Sequence, residues 1–357
     1  MDTNELRRIG VLGAGTWGMA LARMLSLKGC PVTVWSALPR EVEEYAKTRR
    51  HPNLPGMVIP EEIVFTGDIG EAIRGAEIVL FAVPSVFVRG TAASAAPYLT
   101  ERQVIVDVAK GLEPGTLLTM TGIIEDELKK QRPELSCSLV ALSGPTHAEE
   151  VAQDMLTSIV SASGDPEAAV LVQDVFTTKC MRVYTNSDVL GVELCGALKN
   201  IIALASGIAA GLGCGDNARA ALITRGLAEI CRLGIRMGCR EETFMGLAGV
   251  GDLIVTATSR HSRNNRAGIL IGQGRTAEEA KAEVGMVVEG INALPGALQL
   301  AKRYGIEMPI TFAVNSVVSG RETAADAVRG LMDRQRRDES AKHGYDLGTE
   351  SSLLFGE

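Results

Sequence analysis

The chain has 357 residues, 46% of them hydrophobic and 22% charged, values that suit two globular domains and exclude a wholly disordered or membrane-resident protein. Its 36 Lys and Arg against 43 Asp and Glu give a net charge of −7, and 4% of residues are aromatic; such a chain repels phosphate backbones and offers few stacking platforms, so nucleic acid is not the expected partner. Seven cysteines without CxxC spacing and four scattered histidines argue against a disulfide framework or a metal centre.

The N-terminus carries Asp2, Glu5, Arg7 and Arg8 with no signal-peptide core behind them. The longest near-continuous apolar stretch, 201–213, falls short of the ~20 residues that span a bilayer. A cytoplasmic protein is therefore expected. Apolar runs at 8–12, 32–35, 77–83, 103–106 and 138–142 are expected strands of a sheet covered on both faces. Helical stretches lie between them at 16–28, 40–48 and 117–130, and the alternation predicts a doubly wound α/β domain. Runs at 156–161 and 181–184, flanking a helical 166–176, extend the same sheet.

Gly13-Ala14-Gly15-Thr16-Trp17-Gly18 directly follows the first strand and opens the first helix. In that setting the first glycine makes the tight turn, the second lets a pyrophosphate approach the backbone, and the third lets helix and strand pack closely. This marks a Rossmann-type dinucleotide site at Gly13, Gly15 and Gly18. An NAD fingerprint places an acid at the end of the second strand, yet Ser36, Ala37 and Leu38 follow Trp35, and Arg40 is the nearest cation. With neither an acid to repel a 2′-phosphate nor an adjacent base to attract one, use of both NADH and NADPH is expected.

Two polar clusters follow later strands, where α/β ligands bind. Lys110, after Val108-Ala109, reads as a surface residue or a ligand contact. Ser143-Gly144-Pro145-Thr146-His147-Ala148 reads as a site segment or, with Thr146 as N-cap, a plain helix start. Past Asn186, Ser187 and Asp188 the pattern turns to long helices at 189–210 and 216–237, then 277–283, 291–304, 310–318 and 324–334. The expected domains are 1–188, a Rossmann-type dinucleotide-binding domain, and 189–335, mostly α-helical, with 336–357 as a loose tail.

Within the second domain Lys199 sits in an apolar helix, where its charge either snorkels out or occupies a cleft and serves as general acid or base. Gly246-Leu247-Ala248-Gly249-Val250-Gly251-Asp252 reads as flexible backbone ending in a carboxylate. Arg260, Arg263 and Arg266, around Ser262 and Asn264, make either a phosphate grip or a solvated basic loop.

The runs GAGTWG (13–18), KG (110–111), GPTHAEEV (144–151), VELCGALKNIIALASG (192–207), DNARAALITRG (216–226), GVGDLIVT (249–256), HSRN (261–264) and MVVEG (286–290) occur in order. Together they resemble NAD(P)-dependent glycerol-3-phosphate dehydrogenase of the bacterial type, over about 6–334. The resemblance implies reversible reduction of glycerone phosphate to sn-glycerol 3-phosphate with NAD(P)H, feeding phospholipid synthesis. It implies Lys199 as the proton donor and acceptor, and Lys110, Gly144, Thr146, Lys199, Asp252, Ser262, Arg263 and Asn264 as substrate contacts. Implied cofactor contacts are Thr16, Trp17, Lys110, Ala148, Arg263, Val287 and Glu289, with no metal. Thr146 stands where the family usually has serine, and Ser36-Ala37-Leu38 where it commonly has His or Arg, which leaves the choice between NAD and NADP open. A hydroxyacid or 6-phosphogluconate-like dehydrogenase would share the fold but lacks the paired GVGDL and HSRN segments. A dinucleotide-sensing regulator would need a partner-binding appendage that the sequence does not display. The apolar second domain suits a homodimer or a self-contained bundle alike.

Overall fold

The structure, a computed structural model, describes residues 6–259 and 261–336, so Arg260 and the expected tail beyond Arg336 lie outside the described residues. The chain forms two compact units, one of residues up to Glu113 with Leu118–Glu193, the other of Pro114–Leu117 with the residues from Leu194 onward.

The first unit is an α/β layer structure. Its strands are β1 (Ile9–Leu12), β2 (Val32–Trp35), β3 (Val64–Thr66), β4 (Ile78–Phe81), β5 (Val104–Asp107), β6 (Ser138–Ser143), β7 (Thr157–Ala162) and β8 (Met181–Asn186). They form one eight-stranded sheet in the order β3-β2-β1-β4-β5-β6-β7-β8. All neighbours pair in parallel except β6 and β7, which run antiparallel. Helices α1 (Thr16–Leu27), α2 (Pro39–Thr48), α3 (Ile69–Ile73), α4 (Val88–Ala95), α5 (Met120–Gln131), α6 (Ala148–Val151) and α7 (Pro166–Phe176) connect them.

The strands read as continuous apolar runs because successive side chains enter opposite layers, both buried. Ile9, Val11, Ile78, Leu80, Val104 and Val106 pack into one cluster, while Leu12, Val79, Phe81 and Ile105 pack into the other. Burying each such side chain contributes about 1.5–3 kcal/mol. Local polar chemistry fixes the helix starts. Asp68 accepts from Gly70 N at 2.8 Å to cap α3, and Asp165 accepts from Glu167 N at 3.0 Å to cap α7, with Pro166 at its first turn.

Some elements differ from the sequence reading. Strand β3 and helices α3 and α4 were not anticipated. Val64 is exposed at the sheet edge and Phe65 only partly buried, so no continuous apolar run announces the strand. Helix α5 begins at Met120 rather than at residue 117, because Leu117 has φ +62°, a left-handed conformation that cannot belong to a right-handed helix.

The second unit is helical. It contains α8 (Val189–Gly211) from Leu194 onward, then α9 (Asp216–Arg236), α10 (Glu241–Phe244), α11 (Asp252–Thr258), α12 (Arg263–Gly272), α13 (Ala277–Val284), α14 (Glu289–Asn292), α15 (Leu294–Tyr304), α16 (Pro309–Val318) and α17 (Ala324–Met332). Helix α8 has 23 residues and is apolar and long enough to span a bilayer, but 89% of its apolar window is buried inside the protein. Its length exceeds the apolar run read from the sequence because the helix extends N-terminally through Glu193 and Lys199. Four glycines let α8 and α12 cross backbone to backbone. A Cβ on Gly207 would stand 2.2 Å from Asn265 O, on Gly268 2.2 Å from Leu204 O, on Gly211 2.2 Å from Ile269 O, and on Gly272 2.2 Å from Ile208 O. Elsewhere Glu229 of α9 caps α16, accepting from Ile310 N at 2.7 Å and Thr311 N at 3.3 Å.

Candidate active site

In the first unit the glycine turn has the geometry its spacing predicts. Gly13 has φ +122°, and a Cβ there would lie 2.6 Å from Ala82 O. A Cβ on Gly18 would lie 2.3 Å from Gly13 O. These two glycines are required by packing. Gly15 differs: it is exposed, and an added Cβ would meet nothing within 4 Å. That open space lies at the N-terminus of α1, whose first turn carries no acidic side chain. Backbone N–H groups and the helix dipole there suit a pyrophosphate, so the turn fits a dinucleotide held by Gly13, Gly15, Thr16, Trp17 and Gly18. Thr16 and Trp17 are both half-buried, and Trp17 packs on the core beneath the turn.

The two later clusters converge. Lys110 Nζ donates to Gly144 O at 3.2 Å, and Thr146 Oγ1 donates to the same carbonyl at 3.2 Å. Lys110 is thus a half-buried residue anchored to the β6 end rather than a free surface lysine. Gly144 permits the approach, since a Cβ there would press on Ile159 Cα at 3.0 Å. Thr146 is not the N-cap of the following helix. His147 occupies that position without a side-chain cap bond, and Ala148 is the first residue of α6.

Sequence reasoning missed the buried acid behind Lys110. Asp107 closes β5 at 2% exposure, and burial together with the neighbouring Glu193 charge pushes its carboxyl well above the usual carboxylate range. Its Oδ1 has no hydrogen-bond partner. Glu193, itself raised by burial, accepts from Thr119 Oγ1 at 2.8 Å, Thr121 N at 2.8 Å and Thr121 Oγ1 at 2.5 Å, which completes the start of α5. The one sequence signal for Asp107 is an apolar strand that ends on an acid.

In the second unit Lys199 does not snorkel. Its side chain is 6% exposed and pairs with Asp252 Oδ1, whose carboxylate is fully buried. It also donates to Thr256 Oγ1 at 2.6 Å. Cys195, Leu227, Ile230, Gly249 and Leu253 surround it, an apolar wall that strengthens the ion pair. Gly246–Asp252 is not flexible backbone. Leu247–Gly251 winds as a wide helical turn and leads straight into α11, placing Asp252 in its first turn and Thr256 one turn later. Thr256 Oγ1 in turn donates to Asp252 O at 2.6 Å. Gly249 is held against Phe244, where a Cβ would be 2.0 Å from its carbonyl oxygen.

The basic run is likewise helical from Arg263 onward, not a loop. Ser262, 3% exposed, is the N-cap of α12 and accepts from Asn265 N at 3.2 Å. Arg263 is exposed at the helix start, and Arg266 is exposed one turn on. Asn264 Nδ2 donates to Asn200 Oδ1 at 2.9 Å, and Asn264 Oδ1 accepts from Gly290 N at 2.7 Å. Asn264 therefore joins α8, α12 and α14, and Glu289, half-buried, opens the last of these two residues after the exposed Val287. Asn200 and Thr256 are members of this constellation that the sequence reading did not single out, although Thr256 lies one helical turn from Asp252. Among the described residues no group of three or more His, Cys, Asp or Glu could hold a metal ion.

Residues 8–169 match the family described as NAD-dependent glycerol-3-phosphate dehydrogenase N-terminus, and residues 188–329 its C-terminus. The chain belongs to the glycerol-3-phosphate dehydrogenase family. It is 65% identical over 337 residues to a glycerol-3-phosphate dehydrogenase [NAD(P)+] of Lactobacillus delbrueckii subsp. bulgaricus, covering 94% of this chain and 100% of the relative. It is 49% identical over 336 residues to that of Agathobacter rectalis, covering 94% of this chain and 98% of the relative. The crystal structure of a glycerol-3-phosphate dehydrogenase from Coxiella burnetii superposes with a TM-score of 0.86 at 36% identity, covering 92% of this chain and 99% of that one. The chain is thus an NAD(P)-dependent oxidoreductase of the glycerol-3-phosphate dehydrogenase family, with a Rossmann-type sheet followed by a helical unit.

Proposed function

We propose that the chain reduces glycerone phosphate to sn-glycerol 3-phosphate, and runs the reverse reaction, with Lys199 moving the proton at the C2 oxygen. The observation that carries this reading is the buried Lys199–Asp252–Thr256 group. Bound NAD(P)H supplies the hydride to C2. The ketone oxygen then gains negative charge, which an adjacent ammonium stabilises and protonates. Asp252 and Thr256 hold the Lys199 amine in one orientation, so little reorganisation accompanies the transfer.

The substrate contacts proposed are Lys110, Gly144, Thr146, Asp252, Ser262, Arg263 and Asn264 beside Lys199. Arg263, exposed at the start of α12, suits the phosphate, since a guanidinium and a helix N-terminus both favour an anion. Asn264, tied to Asn200 and Gly290, fixes the first turn of α12 that presents Arg263. For the cofactor we propose the glycine turn with Thr16, Trp17, Lys110, Ala148, Arg263, Val287 and Glu289. The product is the backbone of glycerophospholipids. A cytoplasmic location, a homodimeric assembly and the absence of a nucleic-acid partner complete the proposal, the last supported by the net charge of −7. Purified protein should consume NADH or NADPH with glycerone phosphate and not with other ketones; no consumption with glycerone phosphate would overturn the reading.

A further inference from the structure

The residues directly after Trp35 include no acid, yet the fold brings one there. Ser36, buried at 5% exposure, donates from its hydroxyl to Glu41 Oε2 at 2.5 Å and accepts from Leu38 N at 3.1 Å. The chain doubles back, so Glu41, in the first turn of α2, presents its carboxylate at the carboxyl end of β2. A carboxylate accepts at both oxygens, and the Ser36 clasp leaves Oε1 to receive a further donor.

Helix α2 is also fixed against the glycine turn. Glu41 and Tyr45 lie one helical turn apart on one face, and the buried Tyr45 ring faces His51 with centroids 5.1 Å apart. His51 is buried, accepts at Nδ1 from Asn53 N at 3.2 Å, and hydrogen-bonds to the backbone of Ala14, between the first two glycines of the turn. Burial lowers the His51 pKa, against the Ala14 contact and the Glu41 and Glu44 charges, which raise it. On the opposite side Gly13 N donates to Trp35 O at 2.9 Å. The strand end, the turn and the carboxylate thus form one connected piece.

The electrostatics there are negative. Burial, with Glu41 and Glu44 adding to it, pushes the Tyr45 hydroxyl up to about 12. Arg40, the nearest cation in sequence, has a 92% exposed side chain and pairs with Glu44 at 3.7 Å.

We propose that Glu41, clasped by Ser36, sets the cofactor choice: its carboxylate accepts from the ribose 2′-hydroxyl of NADH and repels the 2′-phosphate of NADPH. The enzyme accordingly uses both cofactors but prefers NADH, which refines the expectation of dual use drawn from positions 36–38. The inference rests on the reading of the glycine turn as the dinucleotide site.

The test is titration of the intact protein with NADH and with NADPH, followed by quenching of its two tryptophans, Trp17 and Trp35, alongside kcat and KM for each cofactor. The parent should favour NADH at least tenfold or so, and Glu41→Gln, which retains the Ser36 contact, should narrow or invert that ratio by about ten- to a hundredfold, mostly through KM. Ser36→Ala, which frees the carboxylate without removing it, should move the ratio in the same direction by a smaller factor. A parent that favours NADPH, or a ratio that Glu41→Gln leaves unmoved while both dinucleotides bind, overturns the role of Glu41 alone. Failure of both dinucleotides to bind overturns the underlying site as well.

Discussion

Replacing Lys199 perturbs chemistry and stability together, and the structure shows how to separate them. Lys199→Met removes the ammonium but keeps the aliphatic volume, leaving Asp252 fully buried without its cation. Breaking a buried pair from one side costs about 3–5 kcal/mol, and Asp252 has no surface exposed to bulk solvent. Loss of general acid catalysis should lower kcat by about 10²- to 10⁴-fold. Adding Asp252→Asn removes the stranded charge, and an uncharged replacement for a buried ion pair is often neutral or stabilising. The double variant should therefore regain most of the lost stability in urea unfolding while its rate of NADH oxidation remains depressed. Dinucleotide binding, measured by fluorescence, should stay near the parent value in both proteins. A single variant within about tenfold of the parent turnover would refute proton transfer by Lys199, since the effect invoked begins near a hundredfold. Recovery of turnover in the double variant would show instead that the lysine acts only on folding.

Arg263→Ala should raise KM for glycerone phosphate and lower kcat/KM by about ten- to a hundredfold, the worth of one charge-assisted contact; steady-state kinetics with unchanged constants would return Arg263 to plain solvated surface. Glu229 provides a pH test. Burial pushes its carboxyl up to about 7 from an ordinary 4.5, so the folded protein holds the proton more tightly than the unfolded chain. Its contribution is fully present below pH 4.5 and is lost as pH rises through 7, a change of about 3 kcal/mol. The stability difference between the parent and Glu229→Gln, followed by urea unfolding from pH 4.5 to 8, should shift by that amount, and a flat difference would contradict the assignment. Gly268→Ala, whose Cβ would meet Leu204 O at 2.2 Å, should cost about 1–3 kcal/mol or more and reduce kcat/KM by disturbing Asn264. Gly330→Ala, a control in α17 with nothing within 4 Å, should be neutral or slightly stabilising in the same thermal melt.

The sheet was legible because two-sided burial writes itself into the sequence as unbroken apolar runs, and the glycine turn was legible because Gly13 and Gly18 have steric reasons to be glycine. What stayed hidden depends on partners far apart in sequence. Lys199 alone does not disclose whether it snorkels; its partner Asp252 lies 53 residues on, and only packing joins them. The basic run left a phosphate grip and a solvated loop as equal readings, because three arginines look solvated, although Ser262 carries the chemistry of an N-cap that starts α12. Glu41 escaped notice for the opposite reason. The fingerprint was sought at the strand end itself, and the acid reaches that point from the next helix through Ser36.

The crossing of α8 with α12 has a consequence for how this enzyme can change. Where two helices touch through glycine backbones there are no rotamers to readjust, so the joint does not yield by degrees. Lys199 and Asn200 on one helix and Ser262, Arg263 and Asn264 on the other inherit their spacing from that unadjustable joint. Selection for a bulkier or longer substrate would meet a wall there, since each first step inserts a methyl group into a carbonyl oxygen. The four glycine positions should tolerate almost nothing, and change in this part of the chain should accumulate instead at exposed helical positions such as Gly330, where an added Cβ meets nothing within 4 Å.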